Sequence, residues 1–264
     1  MRKLVFSRSS VKTQSMKTSV PRLIIAAAII LAPMKIAGKK ANLPVNKLSY
    51  ENVFRFTPGL SVLKSISAAD LLYAAAGLEN FGVSRPVFEM AMKGFDRLSR
   101  EGQVSADSIL TIVDFSKSSR QKRLVVIDLK SQDVLFHSVV AHGRGTGEEF
   151  ASSFSNQPRS HKSSLGFYVT RGTYQGSNGY SLKLDGLEKG YNDLAMSRAI
   201  VMHAADYANE DIISTKGYLG RSYGCPALPG KVNRQIIDHI KNGNVLFVYF
   251  PDKKYLSNSK ILNG

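Results

Sequence analysis

From residue 109 onward the chain is a series of short runs of β-branched, aromatic and aliphatic residues divided by turn formers, a spacing that restricts it to a mainly β fold. The clearest runs are 109–115, 124–129 and 134–141. Lys130-Ser131-Gln132-Asp133 separates the last two and predicts a hairpin. Further strands are expected at 166–170, 199–203 and 244–250, with one helix at 232–240 between the last two. The Ser-rich stretch 151–164 reads as a loop, and no internal repeat is evident.

The preceding segment has a helical pattern. Ser67-Ala68-Ala69-Asp70 has the form of a capping box ahead of residues 71–76, with Gly77 as the stop. A second helix follows Pro86 and carries Phe88, Ala91, Phe95 and Leu98 at helical spacing. The expected organisation is a helical N-terminal region at 41–105 followed by a β-rich domain at 106–255. With 264 residues, 43% of them hydrophobic, the chain has enough apolar surface for a substantial core and is not of the disordered class.

Residues 1–40 carry nine basic residues and no acidic one, and an apolar run at 23–34 is broken only by Pro33. A membrane span needs about 20 apolar residues, so this run suits a secretory leader, or an anchor if it stays uncleaved. Export to the periplasm or cell envelope is the expectation, with membrane association if the leader is retained. Of the formal net charge of +16, residues 41–264 keep +7. That surplus suits anionic polymers or an ordinary solvated surface, and it forms no block of the kind that binds nucleic acid.

Cys225 is the only cysteine, so it cannot form an intramolecular disulfide. It is an inert thiol, an intermolecular link or a reactive group. Its surroundings, Gly220-Arg221-Ser222-Tyr223-Gly224-Cys225-Pro226-Ala227, suit an exposed Gly-rich turn whose amides can approach a substrate carbonyl. His203 closes the apolar run 199–202 at an expected strand end. A cysteine attacks as its thiolate, which an imidazole partner or a helix N-terminus can supply. Zinc ligation by His203, Asp206 and Cys225 lacks paired ligand spacing, and Gly143-Arg144-Gly145-Thr146-Gly147 does not fit the phosphate-binding fingerprints. No metal or organic cofactor is called for.

These residues resemble the murein L,D-transpeptidase catalytic domain family, in a divergent branch of the YkuD-like superfamily. The resemblance runs from about Tyr73 to Tyr249 and includes Asp114-Phe115-Ser116, Val140-Ala141-His142-Gly143-Arg144, Ser163-Ser164-Leu165-Gly166-Phe167-Tyr168, residues 181–188, residues 199–203 and the Cys225 turn. It implies a β-sandwich or barrel-like catalytic domain with a small helical cap. It implies Cys225 as the nucleophile that forms a thioester with peptidoglycan stem peptides, and His203 as general base and acid. Gly224 and Cys225 are the expected oxyanion-hole amides.

Better-known members have His before the Gly-Cys pair and Arg two residues after the Cys; here those positions hold Tyr223 and Ala227. Ser222, Arg221, Tyr223, His142 and Arg144 are the expected substrate-binding residues. The expected outcome is L,D-transpeptidation to an amine, or carboxypeptidase trimming with water. The rival reading is a non-catalytic peptidoglycan-binding envelope protein with the same fold.

Overall fold

The computed structural model describes residues 67–105 and 108–264. The leader expected at 1–40 and the whole segment from 41 to 66 lie outside the described residues. Two helices come first, α1 (Ala68–Ala75) and α2 (Arg85–Arg100), linked by a 3₁₀ turn. The Ser67 side chain accepts from Asp70 N–H while the Asp70 carboxylate accepts from Ser67 N–H, so both arms of the capping box are present. Helix α2 turns Val87, Phe88, Ala91, Gly94 and Leu98 inward. A Cβ on Gly94 would stand 2.1 Å from the Phe167 ring, so the helix approaches the sheet at its glycine.

Eight strands follow: β1 (Ile109–Asp114), β2 (Leu124–Asp128), β3 (Asp133–Ser138), β4 (Gly166–Gly176), β5 (Gly179–Gly186), β6 (Val201–Ala204), β7 (Ala227–Leu228) and β8 (Val245–Tyr249). They form one mainly β, barrel-like sheet in the order β3-β2-β1-β8-β4-β5-β6-β7. Every residue of β1 is buried, the polar Thr111 and Asp114 included, as suits a central strand covered on both faces, and β1 pairs parallel with β8. Strands β2 and β3 form the expected antiparallel hairpin, and the Asp128 carboxylate accepts from Lys130 and Ser131 N–H at its turn.

Helix α3 (Glu210–Lys216) lies between β6 and β7, and the last element before β8 is α4 (Gly230–Ile240), which buries Ile236, Ile237 and Ile240. Sequence periodicity missed several features, α3 and the two-residue β7 among them. Strand β4 continues to Gly176, β5 pairs back along it, and α5 (Lys253–Asn258) and α6 (Lys260–Asn263) follow β8. The missed C-terminal helices are tied to the sheet by Glu188, whose carboxylate accepts from Phe167 N–H at 2.8 Å, Tyr255 Oη at 2.8 Å and the Ser259 hydroxyl. Burial pushes the Glu188 carboxyl above its usual range, against the lowering effect of those donors.

Candidate functional site

Two short strands at one end of the sheet, β6 and the edge strand β7, carry or adjoin the chemical residues. Strand β6 pairs parallel with β7, His203 lying opposite Ala227 and Ala204 opposite Leu228. Cys225 stands two residues before Ala227, so the ladder brings the end of the cysteine turn alongside the histidine strand. The Cys225 Sγ receives Val201 N–H at 3.5 Å and lies 3.7 Å from the Ala199 carbonyl. Ala199 itself has φ of 54°, a left-handed conformation uncommon for a residue with a Cβ, at the point where the chain enters β6.

The cysteine turn is clamped from beneath. Ser222 N–H donates to the His142 carbonyl at 2.9 Å, and Arg144 N–H donates to the Ser222 carbonyl at 2.7 Å. Ser163 Oγ accepts from Gly143 N–H at 3.0 Å and donates to the Gly224 carbonyl at 3.1 Å. A Cβ on Gly143 would meet the His161 carbonyl at 2.5 Å and Gly224 Cα at 2.9 Å, so the two glycines allow the strands to close on each other.

Inside the turn, Ser222 Oγ donates to the Cys225 carbonyl at 2.6 Å and accepts from Gly224 N–H at 3.0 Å. The Gly224 amide is directed at Ser222 Oγ, and Ser222, which is buried, shapes the turn from within. Among the described residues no acceptor is found for the Cys225 N–H, which leaves that amide as the oxyanion donor candidate.

His142, expected among the substrate-binding residues, is buried. Its ring is 1% exposed, with Nδ1 2.7 Å from Arg123 Nη2 and Nε2 3.3 Å from the Gly147 carbonyl. Burial first, then the Arg123 charge, pulls the imidazole down to about 3, so it is a neutral acceptor at ordinary pH. Arg123 also donates to the carbonyls of Val140 and Lys117 and lies over the Phe115 ring. Burial lowers the Arg123 guanidinium to about 9, opposed by Asp114. This pair supports the 143–147 loop and does not meet solvent.

Tyr223, at the position where better-known members carry His, is 65% exposed. Its ring lies 4.6 Å from the His161 ring and 5.5 Å from the Arg144 guanidinium. Arg221 reaches the Gly147 carbonyl at 3.2 Å and Glu148 at 3.8 Å.

His203 is 4% exposed, and its Nδ1 lies 2.8 Å from the Ala204 carbonyl. A nitrogen so close to a carbonyl carries the proton, which leaves Nε2 with the basic lone pair. Burial holds this imidazole below its usual value, partly offset by the Ala204 carbonyl, so it is neutral and able to accept a proton near pH 7. Burial raises the Cys225 thiol, while Val201 N–H and Arg198 pull it down. The resting group is therefore a thiol that needs a base.

Arg198 was not legible as a site residue. Its guanidinium donates to Ser155 O at 2.8 Å, Ser164 Oγ at 2.5 Å and Lys162 O at 2.7 Å, and it is the cation that acts on the Cys225 thiol. It belongs to no motif and lies just ahead of an apolar strand, so only the fold reveals it. Among the described residues, no cluster of three or more His, Cys, Asp or Glu side chains could hold a metal ion, and no helix is long and apolar enough to cross a membrane.

A mainly β sheet with a clamped cysteine turn beside a histidine strand defines the class of domain. Residues 79–249, well over half of the chain, match the family model for the L,D-transpeptidase catalytic domain, and the chain belongs to that family, one of peptidoglycan transpeptidases. A search of curated proteins gives no match. Among solved structures, an L,D-transpeptidase from Mycobacterium smegmatis is 12% identical with a TM-score of 0.34, over 54% of this chain and 59% of that one. One from Stackebrandtia nassauensis is 14% identical with a TM-score of 0.34, over 62% and 68%. Bd1075 of Bdellovibrio bacteriovorus is 15% identical with a TM-score of 0.35, over 56% and 51%. The chain thus spans less than two thirds of the Mycobacterium and Bdellovibrio chains.

Proposed function

We propose that this protein transfers peptidoglycan stem-peptide acyl groups through a thioester on Cys225. The observation that carries the reading is the pairing of β6 with β7, which sets the His203 strand alongside the end of the Cys225 turn. His203 Nε2 takes the thiol proton as Sγ attacks the carbonyl of the third stem residue at its L-to-D peptide link. The C–N bond breaks, the departing D-amino acid amine takes that proton, and the acyl group stays on sulfur. An acceptor amine then gives a 3→3 crosslink, or water gives trimming.

The Cys225 N–H serves the developing oxyanion, and Arg221, Tyr223 and Arg144 line the approach. The basic leader is read as an export signal or an anchor, which would bring residues 106–255 to the wall as the catalytic domain, preceded by the helical region at 41–105. The test is the pH profile of Cys225 alkylation by iodoacetamide in the wild type and in His203→Asn. The reading expects a base-dependent rise near neutral pH that shifts to alkaline pH in the variant; identical profiles would contradict it.

A further inference from the structure

Glu188 is buried, and among the described residues no cation pairs with it. A buried carboxylate without a counter-ion is costly, so donors have to hold it in place. Three do, each from a different element: Phe167 N–H of β4 at 2.8 Å, Tyr255 Oη of α5 at 2.8 Å and the hydroxyl of Ser259, the cap of α6. All three partners donate, so an ionised acid completes this joint, whereas an amide would have to turn one of its groups away. Gly166 makes the room for it: its φ is 110°, and a Cβ there would stand 2.3 Å from Glu188 Oε2.

From this joint two routes lead to Arg198, the cation that acts on the Cys225 thiol. The first runs along the start of β4. Asn192 Nδ2 donates to the Phe167 carbonyl at 3.0 Å, Tyr168 Oη donates to the Ser164 carbonyl at 3.0 Å, and Ser164 Oγ accepts from the Arg198 guanidinium at 2.5 Å. The second follows the chain. Glu188 N–H donates to Asn192 Oδ1 at 2.8 Å, and the Glu188 carbonyl accepts from Asn192 N–H at 3.0 Å. The turns that follow bring Arg198 N–H to the Leu194 carbonyl at 2.8 Å. One route fixes the Arg198 guanidinium and the other its backbone.

We propose that Glu188 is a positioning residue for the acyl transfer: by joining α5 and α6 to the start of β4, it holds Arg198 where its charge acts on the Cys225 thiol. The inference rests on the reading of Cys225 as the acylated group. Tyr255 and Ser259 lie beyond residues 79–249, the stretch that matches the family model, so this chain's C-terminal helices supply part of the support for its nucleophile.

The test is the pH profile of Cys225 alkylation by iodoacetamide in the full-length wild type, Glu188→Gln, Arg198→Met and the double variant, all at one temperature below the lowest Tm of the set. Glu188→Gln keeps the size and removes the charge, and it is expected to raise the midpoint by roughly half a pH unit or more, as Arg198→Met does. A bare loss of negative charge would lower the midpoint, so the direction separates the two effects. The double variant should shift no further than Arg198→Met, because both changes act on one cation. Tyr255→Phe removes a single donor and should shift the midpoint in the same direction; it replaces Glu188→Gln in the cycle if the double variant does not fold. Val87→Ala, a core truncation in α2, should lower Tm and leave the midpoint in place. A wild-type or lowered midpoint in Glu188→Gln, or shifts that add in the double variant, would overturn the positioning role. Covalent acylation of the wild type by a stem tetrapeptide scores the catalytic reading separately. Acylation with an unmoved midpoint removes the positioning role alone, and shifted midpoints without acylation remove the catalytic reading alone.

Discussion

Replacing Arg198 with Met separates two roles that the structure gives one side chain. Three short hydrogen bonds are lost, to Ser155 O, Ser164 Oγ and Lys162 O. Ser155 O and Ser164 Oγ still bond each other at 2.8 Å, so the Lys162 carbonyl is the acceptor left without its donor. An orphaned acceptor costs about 1–3 kcal/mol, and each lost bond of this kind roughly another 1 kcal/mol net, partly offset by no longer desolvating the guanidinium. The expected destabilisation is about 2–4 kcal/mol, or on the order of 5–15 °C in Tm for a domain of this size. The second role is electrostatic: without the cation the Cys225 thiol rises further, so alkylation at pH 7 slows. Arg198→Lys keeps the charge without the fork, and it should restore much of the alkylation rate and little of the Tm. Differential scanning calorimetry and a pH series of thiol alkylation read the two effects. An unchanged alkylation profile in Arg198→Met refutes the electrostatic role, and an unchanged Tm refutes the loop-holding role.

Other outcomes follow from the same clamps. His142 is depressed to about 3 in the folded state, so its contribution is present above the unfolded value of about 6.5 and is lost as the pH falls toward 3, at roughly 1.4 kcal/mol per pH unit. Urea midpoints between pH 7 and pH 5 should therefore fall in the wild type and fall less steeply in His142→Asn. Gly224 has φ of 124°, and an added Cβ would stand 2.8 Å from the Lys162 carbonyl, so Gly224→Ala should cost about 1–3 kcal/mol and slow Cys225 alkylation at least tenfold. A variant with wild-type stability and reactivity would show that the turn is not under this constraint.

The β-rich character was legible because alternation and turn chemistry are local: the Lys130–Asp133 turn and the capping box at Ser67 both appear in the structure. Strand β5 carried its own signal and was missed: between Gly179 and Gly186, Tyr180, Leu182 and Leu184 alternate with Ser181, Lys183 and Asp185 at the period of a strand. At the site, the Cys225 turn and the His203 strand stood out by residue type, and the pairing of β6 with β7 brings them together. What each supporting residue does was hidden, because burial decides it. His142 and Ser222 look like ligands in sequence, but buried partners turn them into struts. Arg198 looks like an ordinary basic residue, yet long-range bonds across 34 to 43 positions make it the cation of the thiol.

The central claim is that Cys225 carries the acyl group. Intact-mass spectrometry of the full-length protein, mixed with a stem tetrapeptide and quenched in acid within seconds, tests it directly. The account predicts an adduct with the mass of the tripeptide acyl group, removed by hydroxylamine and absent from Cys225→Ala. A folded wild-type protein that shows no adduct, or one that persists in Cys225→Ala, would contradict it.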